Sequence, residues 1–408
     1  MNYYDKIRMM KLFEYVKDNV QYYSSLIPIV NSENIEDIYN SLPFQTKSKM
    51  RGNTNYLSKE FSSKKVPIIS KLTGGTTGEP WLITKTMKEN ISYFRALWDS
   101  RKQFGIYPKD RFYQFGGYGD IDGDYKTQQI IVTEHFTEFS LFNLTDNILD
   151  SYIDIILRND AKWFFANPSA LYLLAIRMKQ RGMVGYSGIE YIELTGERVY
   201  KFQENLFKEV FNCPISIMYG SREISTISHR CKYGNNHILP NIYIETYDEN
   251  LKKIKCDSKT KGELVITSFV DHYMPFIKYR TGDYGIIKEI EDCPCGRKGF
   301  VIEDLVGREG AFIEIAGKKI NLEIGFYLME KCNRNIGNVI KQFEIHFKNP
   351  NYLFFNISLV NNKYNLDVIN FYENELKNIL PEAIISINIV DDIPRKKKKM
   401  CPYIIEKD

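Results

Sequence analysis

The chain has 408 residues, 43% of them hydrophobic and 14% aromatic, which is enough to bury a large core and too apolar for a disordered chain. A formal net charge of +4 is too slight to argue for a polyanionic partner, so nucleic acid is not implied. Seven cysteines, an odd number and sparse for this length, fit reduced thiols or a metal site better than a disulfide framework.

In chain order, the N-terminal "MNYYDKIRMMKLFEYVKDN" interrupts its apolar residues with charge and predicts an amphipathic surface helix, not a secretory leader. No later segment approaches the roughly 18 apolar residues of a membrane span, so the expectation is a cytoplasmic protein without membrane attachment. A strand-like "VPIISKL" then leads through "SKLTGGTTGEP" at 70–80 into a predicted helix, "TKTMKENISYFRALWDSRKQF". "NPSALYLLAIRMKQRG" predicts a second helix with Asn167 as N-cap, Pro168 at its first position and Gly182 just past its end. "IYIETYD", "GELVITSFV" and "YGIIKEI" are short, rich in β-branched and aromatic residues and flanked by turn residues, so they predict strands. Beyond about residue 306 the pattern restarts as strand "NYLFFNISLV", helix "DVINFYENELKNIL" and strand "AIISINIV". The expectation is a mixed α/β protein with a large domain over 1–306, a small C-terminal lid domain over 307–408 and a boundary at Gly307–Gly310.

The run Thr73, Gly74, Gly75, Thr76, Thr77, Gly78 is placed like a phosphate-binding loop, where glycine lets the backbone close in and N–H and hydroxyl groups donate to an anion. It is not a Walker loop, because the Lys-Ser/Thr pair is missing, and taken alone it reads equally as a surface linker. Three further stretches decide the matter: "MYGSREIST" at 218–226, "YRTGD" at 279–283 and "GREGAFI" at 307–313. In this order, with "TGGTTGEP", they resemble the adenylate-forming superfamily of acyl-CoA synthetases and peptide-synthetase adenylation domains. "YGSRE", "CPCGR" at 293–297, "SLPFQTKSKMRGN" at 41–53 and the short length are most similar to the branch of phenylacetate-CoA ligases and capsule-locus CapK proteins.

The resemblance implies an AMP-forming acid ligase that uses ATP and Mg²⁺. It assigns the Thr73–Gly78 loop to the β and γ phosphates, although family loops often carry Lys where this chain has Glu79. It makes Glu223 the Mg²⁺ ligand, a role that suits a hard cation's preference for carboxylate oxygen, and it sets Tyr219 against the adenine with Gly220 and Ser221 beside it. Gly196, Glu197 and Arg198 of "ELTGERV" fall where the family has a loop over the adenine. Asp283, an acceptor-only side chain on a turn, takes the ribose hydroxyls, and Arg308 reaches ribose or phosphates. A lysine near the C-terminus should bridge the substrate carboxylate and α-phosphate. In "DDIPRKKKKMCPY" the register is ambiguous, and Lys399 is preferred over Lys396, Lys397 and Lys398 because an apolar residue follows it, as in relatives. The domain pivot, usually Asp or Lys, is Ala311 after Gly310.

Cys231, His237, Cys293 and Cys295 offer three thiolates and an imidazole, the ligand set of a closed tetrahedral zinc site, with buried free thiols as the alternative. In the branch this chain resembles, a Cys/His set at these places holds a structural zinc. The expected reaction is therefore acid plus ATP to acyl-adenylate and pyrophosphate, then transfer to a thiol, most simply coenzyme A. Transfer to a carrier protein, or to an amine in polysaccharide or secondary-metabolite synthesis, is the runner-up, and a non-catalytic nucleotide-binding protein of the same fold is the alternative from another class. "YQFGGYGD" at 113–120 is a candidate lining for the acid pocket, or else a core strand and turn.

Overall fold

The computed structural model describes residues 1–62, 66–72, 81–116, 130–141, 144–158, 160–306, 312–315, 317–321, 324–337, 339–348, 351–360 and 365–393. The chain folds into two compact units, Met1–Tyr107 with Met218–Arg308, and Pro108–Ile217 with Glu309–Asp408. Helix and strand are interleaved throughout, the α/β class expected from the sequence.

In the first unit an antiparallel sheet runs in the order Lys253–Ile254, Ile242–Tyr247, Gly262–Ser268, Tyr279–Ile290, Gly299–Val306, Asn236–Ile238, Ser225–Arg230, and the end of Ile215–Ser221. The N-terminal helix Tyr3–Asn19 buries Met9, Leu12, Phe13 and Val16, spaced three and four apart, against Tyr39, Tyr243 and Ile277. The segment before the glycine-rich run forms a strand, Ile68–Leu72. The segment after it differs from expectation, because a second strand, Leu82–Thr86, precedes the helix and pairs back on the first with Leu72 opposite Leu82. Thr86 ends that strand and starts the helix Met87–Arg101: its hydroxyl accepts from the Glu89 N–H, while the Glu89 carboxylate accepts from the Thr86 N–H. This reciprocal cap fixes the helix start at Met87, whereas periodicity alone extends it back to Thr84.

In the second unit four parallel strands lie in the order Phe136–Ser140, Phe112–Gly116, Trp163–Ala166, Tyr191–Thr195, with Ile130–Val132 antiparallel at one edge. One face, carrying Tyr113, Phe115, Phe139, Phe164, Ile192 and Leu194, packs into the core shared with the helices Asp146–Ile156, Pro168–Gln180 and Lys201–Phe211. The C-terminal part contributes the sheet Ile340–Lys348, Tyr352–Leu359, Ile384–Val390 and the helices Ile324–Ile336 and Leu366–Ile379. It joins the same core: Phe326 stacks on Tyr200 with ring centroids 4.3 Å apart, and the Tyr172 hydroxyl donates to the Ile340 carbonyl at 3.1 Å. Among the described residues no helix is long and apolar enough to cross a membrane.

Candidate functional site

The strand Ile215–Ser221 and its antiparallel partner Ser225–Arg230 are joined by a three-residue turn, Arg222–Ile224, so "YGSRE" is a hairpin corner. Gly220 makes the corner possible: a Cβ there would lie 2.1 Å from the Ser225 carbonyl oxygen, and the register slips between Tyr219 and Gly220. Ile224 is fully buried and its N–H donates to the Ser221 hydroxyl, which pins the turn. Glu223 is thereby drawn inward to 3% exposure; among the described residues no hydrogen bond or ion pair reaches its carboxylate, and its oxygens are not among the fully buried unpartnered atoms, so they keep what accessibility the residue has. A carboxylate that no protein group answers and that keeps an accessible edge on an otherwise buried side chain suits an incoming cation, and a hard divalent ion fits that donor.

"YRTGD" lies on a second irregularity. Val265 pairs with Arg280 and Glu263 with Tyr284, so Thr281, Gly282 and Asp283 bulge opposite Leu264 alone. The bulge is braced from within. Thr281 Oγ1 donates to the Leu264 carbonyl and accepts from the Asp283 N–H, and Glu263 receives Arg280 and the Gly282 N–H. Bulges re-aim side chains, and this one turns Asp283 to Tyr219, whose hydroxyl donates to Asp283 Oδ2 at 2.8 Å. Two residues 64 positions apart, each singled out by its own motif, thus meet.

The glycine-rich hairpin is anchored to the same unit by a buried network that carries no motif. Lys85 pairs with Asp271, and the Tyr93 hydroxyl donates to Asp271 Oδ2 at 2.7 Å and lies 2.7 Å from the Ser268 hydroxyl. Glu89 also accepts the N–H groups of His272 and Tyr273. Lys71, exposed near the end of the first hairpin strand, has its pKa lowered by desolvation and by the nearby cations of Arg222 and Lys85. Thr73, Gly74, Gly75, Thr76, Thr77 and Gly78, together with Arg308, the pivot Gly310–Ala311 and Lys396–Lys399, lie outside the described residues.

Gly196, Glu197 and Arg198 follow the strand Tyr191–Thr195 in the second unit. The Glu197 carboxylate receives both the N–H and the hydroxyl of Ser169, at 3.0 and 2.9 Å, and so caps the helix Pro168–Gln180. Asn167 occupies the N-cap position expected for it, yet its side chain makes no cap and donates instead to the Thr195 carbonyl. Arg198 lies over the Tyr200 ring, 5.5 Å from its centroid.

Cys231, His237, Cys293 and Cys295 converge, with one ligand atom from each lying within 4.8 Å of every other. The sheet brings them together, since Asn236–Ile238 pairs with both Ser225–Arg230 and Gly299–Val306, and the CPC turn precedes the latter. The Cys231 and Cys293 sulfurs are 3.8 Å apart, and Cys295 Sγ is 3.4 Å from His237 Nε2. A tetrahedron built on zinc–sulfur bonds of ~2.3 Å has edges of about 3.8 Å, so the spacing fits that ion. The protonation states fit as well. Burial, aided by Arg297, pushes His237 down to about 4, leaving a neutral imidazole at pH 7. Burial pushes the Cys231 thiol up. For Cys293, burial also pushes up, but hydrogen bonds from the Cys295 N–H, Asn235 and the adjacent thiols outweigh it and bring it down to about 7. A dication would favour the thiolates further.

No protein-family model matches the chain. It is 22% identical over 338 residues to the protein CapK of Staphylococcus aureus, covering 77% of this chain and 69% of that protein. It is likewise 22% identical over 328 residues to a phenylacetate-coenzyme A ligase of Thermus thermophilus, covering 77% and 71%. Among solved structures, a 2-hydroxyisobutyryl-CoA ligase in a post-adenylation state with its acyl-AMP superposes with a TM-score of 0.73 at 13% identity, over 98% of this chain and 89% of that one. The anthranilate-CoA ligase AuaEII with anthranoyl-AMP gives 0.55 at 14%, over 80% and 63%. The fold is that of the adenylate-forming superfamily. In sequence, the chain is similar at 22% identity to CapK and to a phenylacetate-coenzyme A ligase.

Proposed function

We propose that this protein activates a carboxylic acid with ATP, forming an acyl-adenylate and releasing pyrophosphate, and then passes the acyl group to the thiol of coenzyme A with release of AMP. The observation that carries the reading is the hairpin corner that holds Glu223 buried and without a protein partner while the Tyr219 hydroxyl aims Asp283. Glu223 would hold Mg²⁺, which when bound supplies positive charge to the phosphates. Asp283 accepts the ribose hydroxyls, and the Tyr219 hydroxyl holds its carboxylate in orientation for them. Gly220 and Ser221 give the nucleotide a flat approach. Thr73–Gly78 donates to the β and γ phosphates, Gly196 and Arg198 border the base, and Arg308 reaches the ribose. Lys399, on a lid spanning 307–408, offsets the charge of carboxylate and α-phosphate as they approach. Cys231, His237, Cys293 and Cys295 hold a structural zinc, since four protein ligands leave no open position for catalysis.

The test is acid-dependent exchange of labelled pyrophosphate into ATP. Exchange that Glu223→Gln reduces by roughly 10²-fold or more supports the reading. ATP binding without exchange for any acid would reduce the protein to a nucleotide binder. Adding coenzyme A, or an acyl-carrier protein in its place, then identifies the acceptor by which thiol discharges the adenylate.

A further inference from the structure

In the four parallel strands of the second unit, Glu138 pairs in register with Gln114, Gln114 with Phe165, and Phe165 with Glu193. Residues in register share a face, so these four form one row across the sheet, on the face opposite the one packed against the helices. Two residues nearer the carboxyl ends of the strands come Ser140, Gly116 and Thr195, all small. Open parallel sheets take small ligands outside the carboxyl ends of their strands, which is where this polar row looks out past small residues.

Within the row Glu138 is exceptional. It is half-buried, its Oε2 accepts a hydrogen bond of 2.5 Å from the Gln114 amide, and among the described residues no cation pairs with it. Burial raises its pKa, with the Gln114 bond only partly offsetting that. The carboxyl group lies directly over Gly116, where a Cβ would come within 2.0 to 2.4 Å of its three atoms. A cross-strand amide–carboxylate pair contributes a few tenths of a kcal/mol to about 1 kcal/mol in a sheet, and a glutamine or threonine would serve that end without bringing a charge. A half-buried carboxylate kept without a cation, in the open space over a glycine, is better matched to an incoming donor.

We propose that Glu138, steadied by Gln114, selects an acid substrate that carries a hydrogen-bond donor, an amino or hydroxyl group, over a purely hydrocarbon acyl or aryl acid. This deepens the adenylation reading and rests on it. The donor group enters past Gly116 and Ser140 and gives its proton-bearing atom to the free lone pairs of the Glu138 carboxylate. Gln114 remains the positioning residue.

The experiment measures kcat/KM for acid-dependent pyrophosphate exchange with matched sets: propionate, 3-hydroxypropionate and β-alanine, then benzoate, 4-hydroxybenzoate and 4-aminobenzoate. The expected result is that in at least one set a donor-bearing acid exceeds its hydrocarbon parent by roughly 10²-fold or more, as for sites built to satisfy a polar group. Comparison of the hydroxy with the amino member identifies which donor is meant. Glu138→Gln should collapse this ratio toward unity while the parent acid's rate holds, and Glu138→Asp should restore part of it. Equal loss for donor and parent acids would give Glu138 a merely structural role. Preference of the unaltered enzyme for the hydrocarbon members overturns the proposal while leaving adenylation in place. No exchange with any acid in either set overturns adenylation, and the proposal with it.

Discussion

The hydroxyl of Tyr219 donates to Asp283 Oδ2 at 2.8 Å, which joins a hairpin corner to a strand bulge and makes one device of two separate motifs. Asp283→Ala removes the acceptor and should lower pyrophosphate exchange by roughly 10²-fold or more. Tyr219→Phe keeps the ring and loses only the tether, a hydrogen bond to a charged group worth about 1.5–3 kcal/mol, so its effect on exchange should be smaller and should appear mainly as weaker ATP binding. Near-normal exchange in Asp283→Ala would remove the nucleotide role of the bulge.

Gly220→Ala tests the corner itself. The new methyl would meet the Ser225 carbonyl oxygen at 2.1 Å, a backbone atom that cannot swing aside. Overpacking of this kind costs about 1–3 kcal/mol, and the turn should open and release Glu223 from its buried position. The expected readout is a lowered melting temperature together with a raised Mg²⁺ requirement. A variant as stable and active as the parent would show that the strands have slack the close approach does not suggest.

These relationships mark how far the sequence could be read. Tyr219, Glu223 and Asp283 stood out because "YGSRE" and "YRTGD", in their order along the chain, resemble adenylate-forming motifs; taken alone, each reads as an ordinary strand turn. That Glu223 is buried without a partner could not be read, since burial depends on Ile224 and on strands distant in sequence. The four metal-ligand candidates were legible because Cys and His are rare here, with five His in the whole chain. The Lys85–Asp271–Tyr93 network had no signal: its members are up to 186 positions apart and each is unremarkable in its own strand or helix. The strand Leu82–Thr86 was absorbed into the following helix because Thr84, Lys85 and Thr86 carry no turn residue, and only the reciprocal bonds of Thr86 and Glu89 show the break. Glu138 could not be found from spacing at all, because a polar residue on alternate strand positions reads as an ordinary solvent face.

Breaking the Lys85–Asp271 pair should cost more than its absence ever would. Both side chains are nearly excluded from water, at 8% and 1% exposure, so Asp271→Asn leaves an ammonium buried without its counter-charge. The expected loss is about 3–5 kcal/mol of unfolding free energy in denaturant melts, partly recovered by adding Lys85→Met. If Asp271→Asn alone costs less than about 1 kcal/mol, the pair is hydrated in solution and does not anchor the hairpin.

Elemental analysis of the purified protein should find about one zinc per chain if the sulfurs and the imidazole act together. Cys295→Ser should lose the metal, and the melting temperature should fall by several degrees, as should that of the parent after prolonged chelation. Protein that contains no zinc and melts at an unchanged temperature with and without added zinc would leave the four residues as buried free thiols beside a neutral histidine.

The last expectation concerns pH and the carboxylate in the polar row. Burial raises the Glu138 pKa in the folded chain above its ordinary value of 4.5, and the Gln114 amide offsets this only in part. The folded state therefore binds the proton more tightly than the unfolded chain does, so the group's contribution to stability is fully present below pH 4.5 and is lost as pH rises through the folded pKa. Glu138→Gln carries no titrating group there and keeps the shape. Relative to the parent it should gain stability between pH 4 and pH 7, with the difference levelling off once the parent's carboxyl is ionised. Denaturant midpoints for both proteins at several pH values across this range measure it directly. A constant offset between the two, or a parent that gains on the variant with rising pH, would mean that a cation already answers the carboxylate in the folded protein, which leaves no unmet charge for a substrate's amino or hydroxyl group to satisfy.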